Sequence, residues 1–226
     1  MIYDGGELPA IVVTPKKELV ILLDNGHAKN TPGKCSPVLP DGTRFYEYQF
    51  NRDIVKRIAK GLDALKIPYH ILVPEEITDV ALTTRANRAN EYCRKYGKEN
   101  CFLISVHANA AGNGGWMNAR GWSVYTTKGW TKSDEYAKYF YNQAQKLLPS
   151  KNMTLRADWS DGDPDWEANF TILYKTVCSC ILTENLFYDN KVDLAFLMSE
   201  EGKDVIAQIH INAIKEIYDK HRSLQG

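Results

Sequence analysis

Four side chains of this 226-residue sequence have the types and the placing to do chemistry together: His27, Glu47, His107 and Glu184. His27, His107 and Glu184 each stand just past the C-terminal end of an apolar run of strand length. Glu47 opens a helical periodicity that follows the first of those runs. In an open α/β sheet the carboxyl ends of the strands line up along one edge, where ligands bind. Two imidazoles and two carboxylates brought to that edge have the donor set of a metal site with a spare acid or base. Zinc in a hydrolase keeps three protein ligands and leaves a fourth position to water. Two neutral histidines and one carboxylate leave a singly positive centre, which lowers the pKa of water from about 15.7 towards about 7. His27, Glu47 and His107 fit the ligand role. Glu184 fits the base that passes a proton to a leaving nitrogen.

Each of the four also has a purely structural reading. A lone histidine after a strand is commonly a satisfied polar residue, and an acidic residue in a first helical turn favours the helix dipole. Glu184 has Arg85 and Arg156 as candidate ion-pair partners. Spacing alone does not choose, because the four are far apart in sequence and form no local motif such as H-E-x-x-H.

The elements that must position these residues follow from hydrophobic patterning. Leu19–Leu23 is a continuous apolar run, the pattern of a strand buried on both faces, and it ends in Asp24-Asn-Gly-His27. Prolines and glycines make the stretch from Ala28 to Thr43 a loop. Phe50, Ile54, Ile58, Leu62 and Leu65 form one helical stripe, stopped by Pro68. Tyr69–Val73 reads as a strand and Thr84–Lys95 as a helix. Phe102–Val106 is a second buried strand, and Gly121–Thr126 alternates as a half-buried one. Ser133 is the expected N-cap of a helix carrying Tyr136, Ala137, Phe140, Ala144 and Leu147. Residues 149–170 read as a polar, acidic surface excursion. Val177–Thr183 is a further strand, and Glu200–Lys220 a last helix. Strands alternating with helices predict a single layered α/β domain, its central sheet mostly parallel, with helices on both faces and room for antiparallel edge strands. Residues 1–18 read as an N-terminal arm and 19–222 as the catalytic domain.

Composition narrows the class. The chain is 44% hydrophobic and 25% charged, an ordinary globular mix. Its 28 basic and 28 acidic residues cancel, so it lacks the footprint of a general nucleic-acid binder. No apolar run reaches the ~18 residues of a membrane span. The amino terminus has neither the basic start nor the apolar stretch of a secretory signal. Five cysteines, odd in number and without a C-x-x-C pair, read as reduced and mostly buried thiols.

The chain resembles the zinc-dependent N-acetylmuramoyl-L-alanine amidases, the peptidoglycan-cleaving catalytic domains of bacterial cell-wall hydrolases and phage lysins. The family's apolar strand and Asp-Pro-Gly-His-Gly motif is similar to Val20-Ile-Leu-Leu-Asp24-Asn-Gly26-His27-Ala28. Its Arg-x-x-x-Ala-Asn segment and Ser-Ile-His-Ala-Asn strand end resemble Arg85-Ala-Asn-Arg-Ala89-Asn90 and Ser105-Val-His107-Ala-Asn109-Ala110. Its closing Glu-x-x-Phe-x-x-Asn resembles Glu184-Asn-Leu-Phe187-Tyr-Asp-Asn190. The likeness runs from about Leu19 to Tyr218, with the three motifs in order. Asn25 stands where the family usually has Pro, and Ala28 where it often has Gly.

The resemblance implies Zn2+ held by His27, Glu47 and His107, with Glu184 as the catalytic glutamate. The loop before Glu47 varies in length, so Glu75, Glu76 and Glu91 are the alternatives; the first two follow Pro74 in a loop and the third sits mid-helix, and Glu47 is preferred. The implied reaction is hydrolysis of the amide between the lactyl group of N-acetylmuramic acid and L-alanine. A zinc peptidase or deacetylase on another cell-wall amide, or a non-catalytic wall-binding module, are the competing readings. Asn109, Trp159 and Trp166 are the expected substrate contacts, because sugar rings and peptides pack on amphipathic surfaces. Asp24 is expected to orient a histidine from outside the ligand set. The expected partner is peptidoglycan, met at the cell wall or periplasm by a monomer. A phage-type lysin released through a separate pore and a secreted hydrolase trimmed of its leader both fit the absent signal.

Overall fold

The computed structural model describes residues 18–224, so of the expected arm over residues 1–18 all but Glu18 lies outside them. Its frame is a six-stranded sheet in the order β2-β1-β3-β6-β4-β5. The strands are β1 (Val20–Asn25), β2 (Tyr69–Ile71), β3 (Cys101–Asn109), β4 (Ser123–Thr126), β5 (Trp166–Glu167) and β6 (Ser179–Phe187). β2, β1, β3 and β6 are parallel, whereas β4 runs antiparallel to β6 and carries β5 alongside it. The helices are α1 (Glu47–Leu65), α2 (Leu82–Tyr96), α3 (Lys132–Leu147), α4 (Thr171–Lys175), α5 (Lys191–Met198) and α6 (Glu200–Ser223). The expected layered α/β domain is therefore present, its antiparallel strands confined to one side.

Two cores flank the sheet, and the two-residue period of the strands assigns each side chain to one of them. Ile21, Leu23, Phe102, Ile104 and Ile181 face α1, α3 and α6. Val20, Leu22, Leu103, Cys180 and Leu182 face α2 and α4. This two-sided burial is why β1 reads as an unbroken apolar run. All five cysteines are free, four of them buried, in accord with the reduced reading.

α1 shows what holds these helices. Tyr46 at its N-cap offers no side-chain hydrogen bond, and a missing cap costs roughly 1 kcal/mol. Phe50, Ile54, Ile58 and Leu62 are all buried, each contributing about 1.5–3 kcal/mol, so packing outweighs the absent cap. Lys66 in the left-handed region closes the helix, its N–H bonding back to Asp63 and Leu62 carbonyls.

Three local expectations change. Thr131, not Ser133, caps α3 in a capping box with Asp134, while the Ser133 hydroxyl accepts from the Cys180 N–H at 3.0 Å. A hydroxyl two residues further on is drawn away because β6 needs an acceptor there. β3 and β6 each run on past the predicted ends, through His107 and Glu184, and a register irregularity lies between His107 and Asn109. The 149–170 excursion is not wholly at the surface, since Asp163, Pro164 and Asp165 are buried within it.

Candidate active site

β1 ends at Asn25, and the chain turns at Gly26 so that His27 reaches over the sheet edge. A Cβ at Gly26 would lie 2.1 Å from the His107 ring, so only glycine lets that imidazole rest against the turn. His27 itself has φ 62°, a left-handed conformation costing roughly 1–2 kcal/mol for an L side chain. The turn is held against that cost. The Gly26 N–H donates to the Val106 carbonyl at 3.1 Å, and Arg52 donates to the His27 carbonyl at 2.9 Å. Asn25 and Ala28, where the sequence departs from the motif it resembles, are both buried within this turn.

Glu47 arrives from the far side of the 28–46 loop. The Cys35–Tyr46 bridge and the Glu47 N–H to Lys34 carbonyl bond at 3.0 Å fold that loop back, so the first residue of α1 points to the sheet edge. Its carboxylate meets both histidines: Oε1 lies 3.0 Å from His107 Nδ1 and Oε2 lies 3.4 Å from His27 Nε2. The two rings stand edge to face with centroids 4.9 Å apart. One donor atom from each of His27, Glu47 and His107 lies within 4.8 Å of the others. Glu75 instead pairs with Arg88 and Glu91 with Arg94, and none of Glu75, Glu76 and Glu91 joins the histidine group.

Glu184 is opposite His107 in the β3–β6 register, and so stands on the same face of the sheet. It pairs with neither arginine: Arg85 binds Asp24 and Asp79, and Arg156 lies over the rings of Trp166 and Phe187. Burial, reinforced by the nearby Glu47 charge and opposed by His107, pushes the Glu184 carboxyl up to about 7. Burial and then His107 bring His27 down to about 4, leaving it neutral with a free lone pair at neutral pH. Burial works against a charged His107, but the hydrogen bond and charge of Glu47 outweigh it and raise that group.

The donor set fits a metal. Glu47 is 1% exposed, yet among the described residues its Oε2 receives no hydrogen bond, the Lys34 ammonium standing 4.0 Å away, and Glu184 Oε2 is likewise buried without a donor. Such atoms are costly unless something positive meets them. Two imidazole nitrogens with one carboxylate oxygen suit zinc.

Around this centre some expectations change. Asp24 orients no histidine, because its two oxygens are taken by Arg85 at 2.7 Å and Ser105 at 2.6 Å. Asn109 caps its own turn, accepting from the Ala110 N–H at 2.8 Å. Trp166 pairs across to Tyr125 on the face that carries Glu184. Trp159, 59% exposed, instead sets its edge on Tyr141 of α3, on the opposite face of the sheet. Sequence reasoning missed Asn185, which donates to the His107 carbonyl at 2.8 Å and accepts from the Trp122 indole at 2.8 Å. Tyr125 stands on the same face as Glu184, its phenol raised by burial and then by the Glu184 charge. The alternating period of β4 and β6 held the signal for Tyr125, since it places both side chains on one face.

A family model described as N-acetylmuramoyl-L-alanine amidase matches residues 21–216. The chain belongs to this family. It is 27% identical over 214 residues to the endolysin of Bacillus phage SPP1, covering 92% of this chain and 69% of that protein. It is 26% identical over 140 residues to the N-acetylmuramoyl-L-alanine amidase CwlM of Bacillus licheniformis, covering 62% of this chain. The match spans 47% of the length of that relative. Among solved structures, the N-acetylmuramoyl-L-alanine amidase of Clostridium difficile 630 superposes with a TM-score of 0.70 at 22% identity, covering 90% of this chain and 98% of that one. The catalytic domain of CwlV from Bacillus (Paenibacillus) polymyxa var. colistinus gives 0.69 at 22% identity, covering 89% and 98%. These two share the fold.

Proposed function

We propose that this member of the amidase family is a zinc-dependent hydrolase of the amide between the lactyl group of N-acetylmuramic acid and L-alanine of the peptidoglycan stem. The observation that carries it is the convergence of His27, Glu47 and His107 beside an unpaired Glu184. His27, Glu47 and His107 would hold the ion, and residues 19–222 would form the catalytic domain. When bound, zinc supplies a Lewis acid that polarises a carbonyl and acidifies water.

The chain's own residues supply the rest. Glu184, poised near 7, takes a proton from attacking water on a carboxylate oxygen and delivers it to the departing amine of alanine. Asn185 fixes the His107 backbone, and Arg52 fixes that of His27. Tyr125 and Trp166 wall one side of the approach, where they would bear on the glycopeptide beside Asn109. Trp159 has no part in that wall. Action at the cell wall and the monomeric state belong to the same proposal. Among the described residues no helix is long and apolar enough to cross a membrane.

The test is mass spectrometry of purified peptidoglycan digested by the zinc-loaded protein, with Glu184→Ala alongside. Stem peptides bearing a free alanine amine, with intact glycan and no release by the variant, are expected. Peptides cut at another bond would move the scissile amide. Activity retained by the variant would remove Glu184 from the base role.

A further inference from the structure

Asp134, Asp163 and Asp165 form a second buried cluster, one oxygen of each lying within 4.8 Å of the others. The three come from two separate stretches of chain. Asp134 is in the first turn of α3, and Asp163 and Asp165 flank Pro164 in the loop before β5. Thr126, the last residue of β4, sits among them. All three carboxylates are 1% exposed.

The donors around them are too few. Asp134 Oδ2 is satisfied by the Thr131 N–H at 2.6 Å and the Thr131 hydroxyl at 2.8 Å. The single Thr126 hydroxyl proton faces Asp165 Oδ2 at 2.5 Å, Asp134 Oδ1 at 3.2 Å and the Thr127 carbonyl at 3.3 Å. It can serve one of them well. Among the described residues neither oxygen of Asp163 receives a hydrogen bond, and nor does Asp165 Oδ1. Among the described residues no lysine or arginine pairs with any of the three. Lys132, nearest in sequence, lies over the Tyr136 ring instead.

Buried carboxylates without donors are neutralised either by a proton or by a cation. Burial, and then Asp163, push Asp165 up to about 8, so one proton shared by that pair is the simpler device. It falls short. A proton on Asp165 can be donated to one Asp163 oxygen and leaves the other bare, with Asp134 still dependent on a long bond. A hard divalent cation takes six to eight oxygens at about 2.3–2.6 Å, so any two of its ligands lie within roughly 5 Å of each other. Three carboxylates and the Thr126 hydroxyl, with water, supply such a shell.

The geometry points to a second metal site, for a calcium-type divalent cation, formed by Asp134, Asp163, Asp165 and Thr126. It is chemically distinct from the histidine cluster: all its donors are hard oxygens, which favour calcium over zinc. Its bound cation ties the 158–165 loop to β4 and to the N-terminus of α3, directly before Trp166. The site stands whatever bond the other cluster cleaves, because its binding is read without substrate.

The experiment titrates terbium, then calcium, into zinc-loaded protein and follows terbium luminescence sensitised by the adjacent Trp166. Calorimetry counts calcium, and thermal melts follow its effect. The expected result is one terbium per chain, displaced by calcium, and a Tm that rises with calcium. Asp163→Asn and Asp165→Asn should each abolish the luminescence and the Tm response, while His27→Ala, which removes a ligand of the other cluster, keeps both. Two variants guard against one failing to fold. No saturable luminescence in the wild type, with a Tm that ignores calcium and rises as pH falls from 8 to 5, would overturn the proposal in favour of a shared proton. Luminescence that survives in both Asp variants would overturn it as well.

Discussion

The two carboxylate clusters lie at opposite ends of β4: Ser123 is beside Glu184, and three residues on, Thr126 reaches Asp165. Both bury acids with too few donors, yet they are built from different chemistry. At the first end a single carboxylate is shared by two imidazoles, and the fourth member, Glu184, stays apart as a titrating group. At the other, three carboxylates crowd one hydroxyl. The first arrangement leaves a group free to move a proton, as catalysis requires. In the second, the proposed cation would take the oxygens that Thr131 and Thr126 leave bare, as a brace requires. Burial alone does not make a site catalytic; what matters is whether one ionisable group is left uncommitted.

The sharpest way to break this contrast is to silence the uncommitted group. Glu184→Gln should lower kcat by roughly 10²–10⁴-fold, the span of general acid–base catalysis, with zinc content by elemental analysis unchanged at one per chain. Loss of zinc in that variant would make Glu184 a ligand and erase the distinction. Gly26→Ala comes next. Its new Cβ meets the His107 ring, so zinc affinity should fall by about 10–100-fold, measured by competition with a chromophoric chelator, while the Asp134 cluster keeps its response to calcium.

A third prediction separates both clusters from ordinary core electrostatics. His210 is buried between Thr183 and the Ile206 carbonyl, and burial holds it at about 4 against 6.5 when unfolded. Its neutral form is favoured in the fold, so its contribution is complete above pH 6.5 and is lost as pH falls through about 4. Over that window it amounts to about 3 kcal/mol. His210→Gln should flatten the corresponding slope in urea-denaturation stability between pH 6.5 and 4; an unchanged slope would assign acid sensitivity to the carboxylate clusters. The smallest effect concerns the walls. Trp166→Ala should raise KM for soluble muropeptides by roughly threefold to tenfold, the factor expected of one aromatic contact, and Trp159→Ala should leave it unchanged.

Much of the first cluster was legible in the chain. His27, His107 and Glu184 follow apolar runs, and the α1 stripe marks Glu47 as the start of a helix, because hydrophobic period reports locally which face of an element is buried. The resemblance then supplied roles that spacing alone left open. The partner of Asp24 was not legible: Arg85, 61 residues away, takes it from the histidines, and nothing near either residue records that choice. The cap of α3 shifted by two residues for a similar reason, since β6 claims the Ser133 hydroxyl.

By itself, then, the sequence determined the order of β1 to β4 and β6 and of α1, α2, α3 and α6, their buried faces and the polar residues left at the sheet edge, while the short β5, α4 and α5 carry too few residues to show a period. All of these follow from periodicities shorter than two helical turns. Tertiary structure alone decided that the 28–46 loop folds back to bring Glu47 between two histidines. It also sent Trp159 to one face of the sheet and Trp166 to the other. Above all, it buried Asp163 and Asp165, which a loop rich in Asp, Ser and Gly presents as solvent-facing. Pattern marks where apolar residues must hide, but a polar side chain is buried only when distant segments close around it, and that closure has no local period.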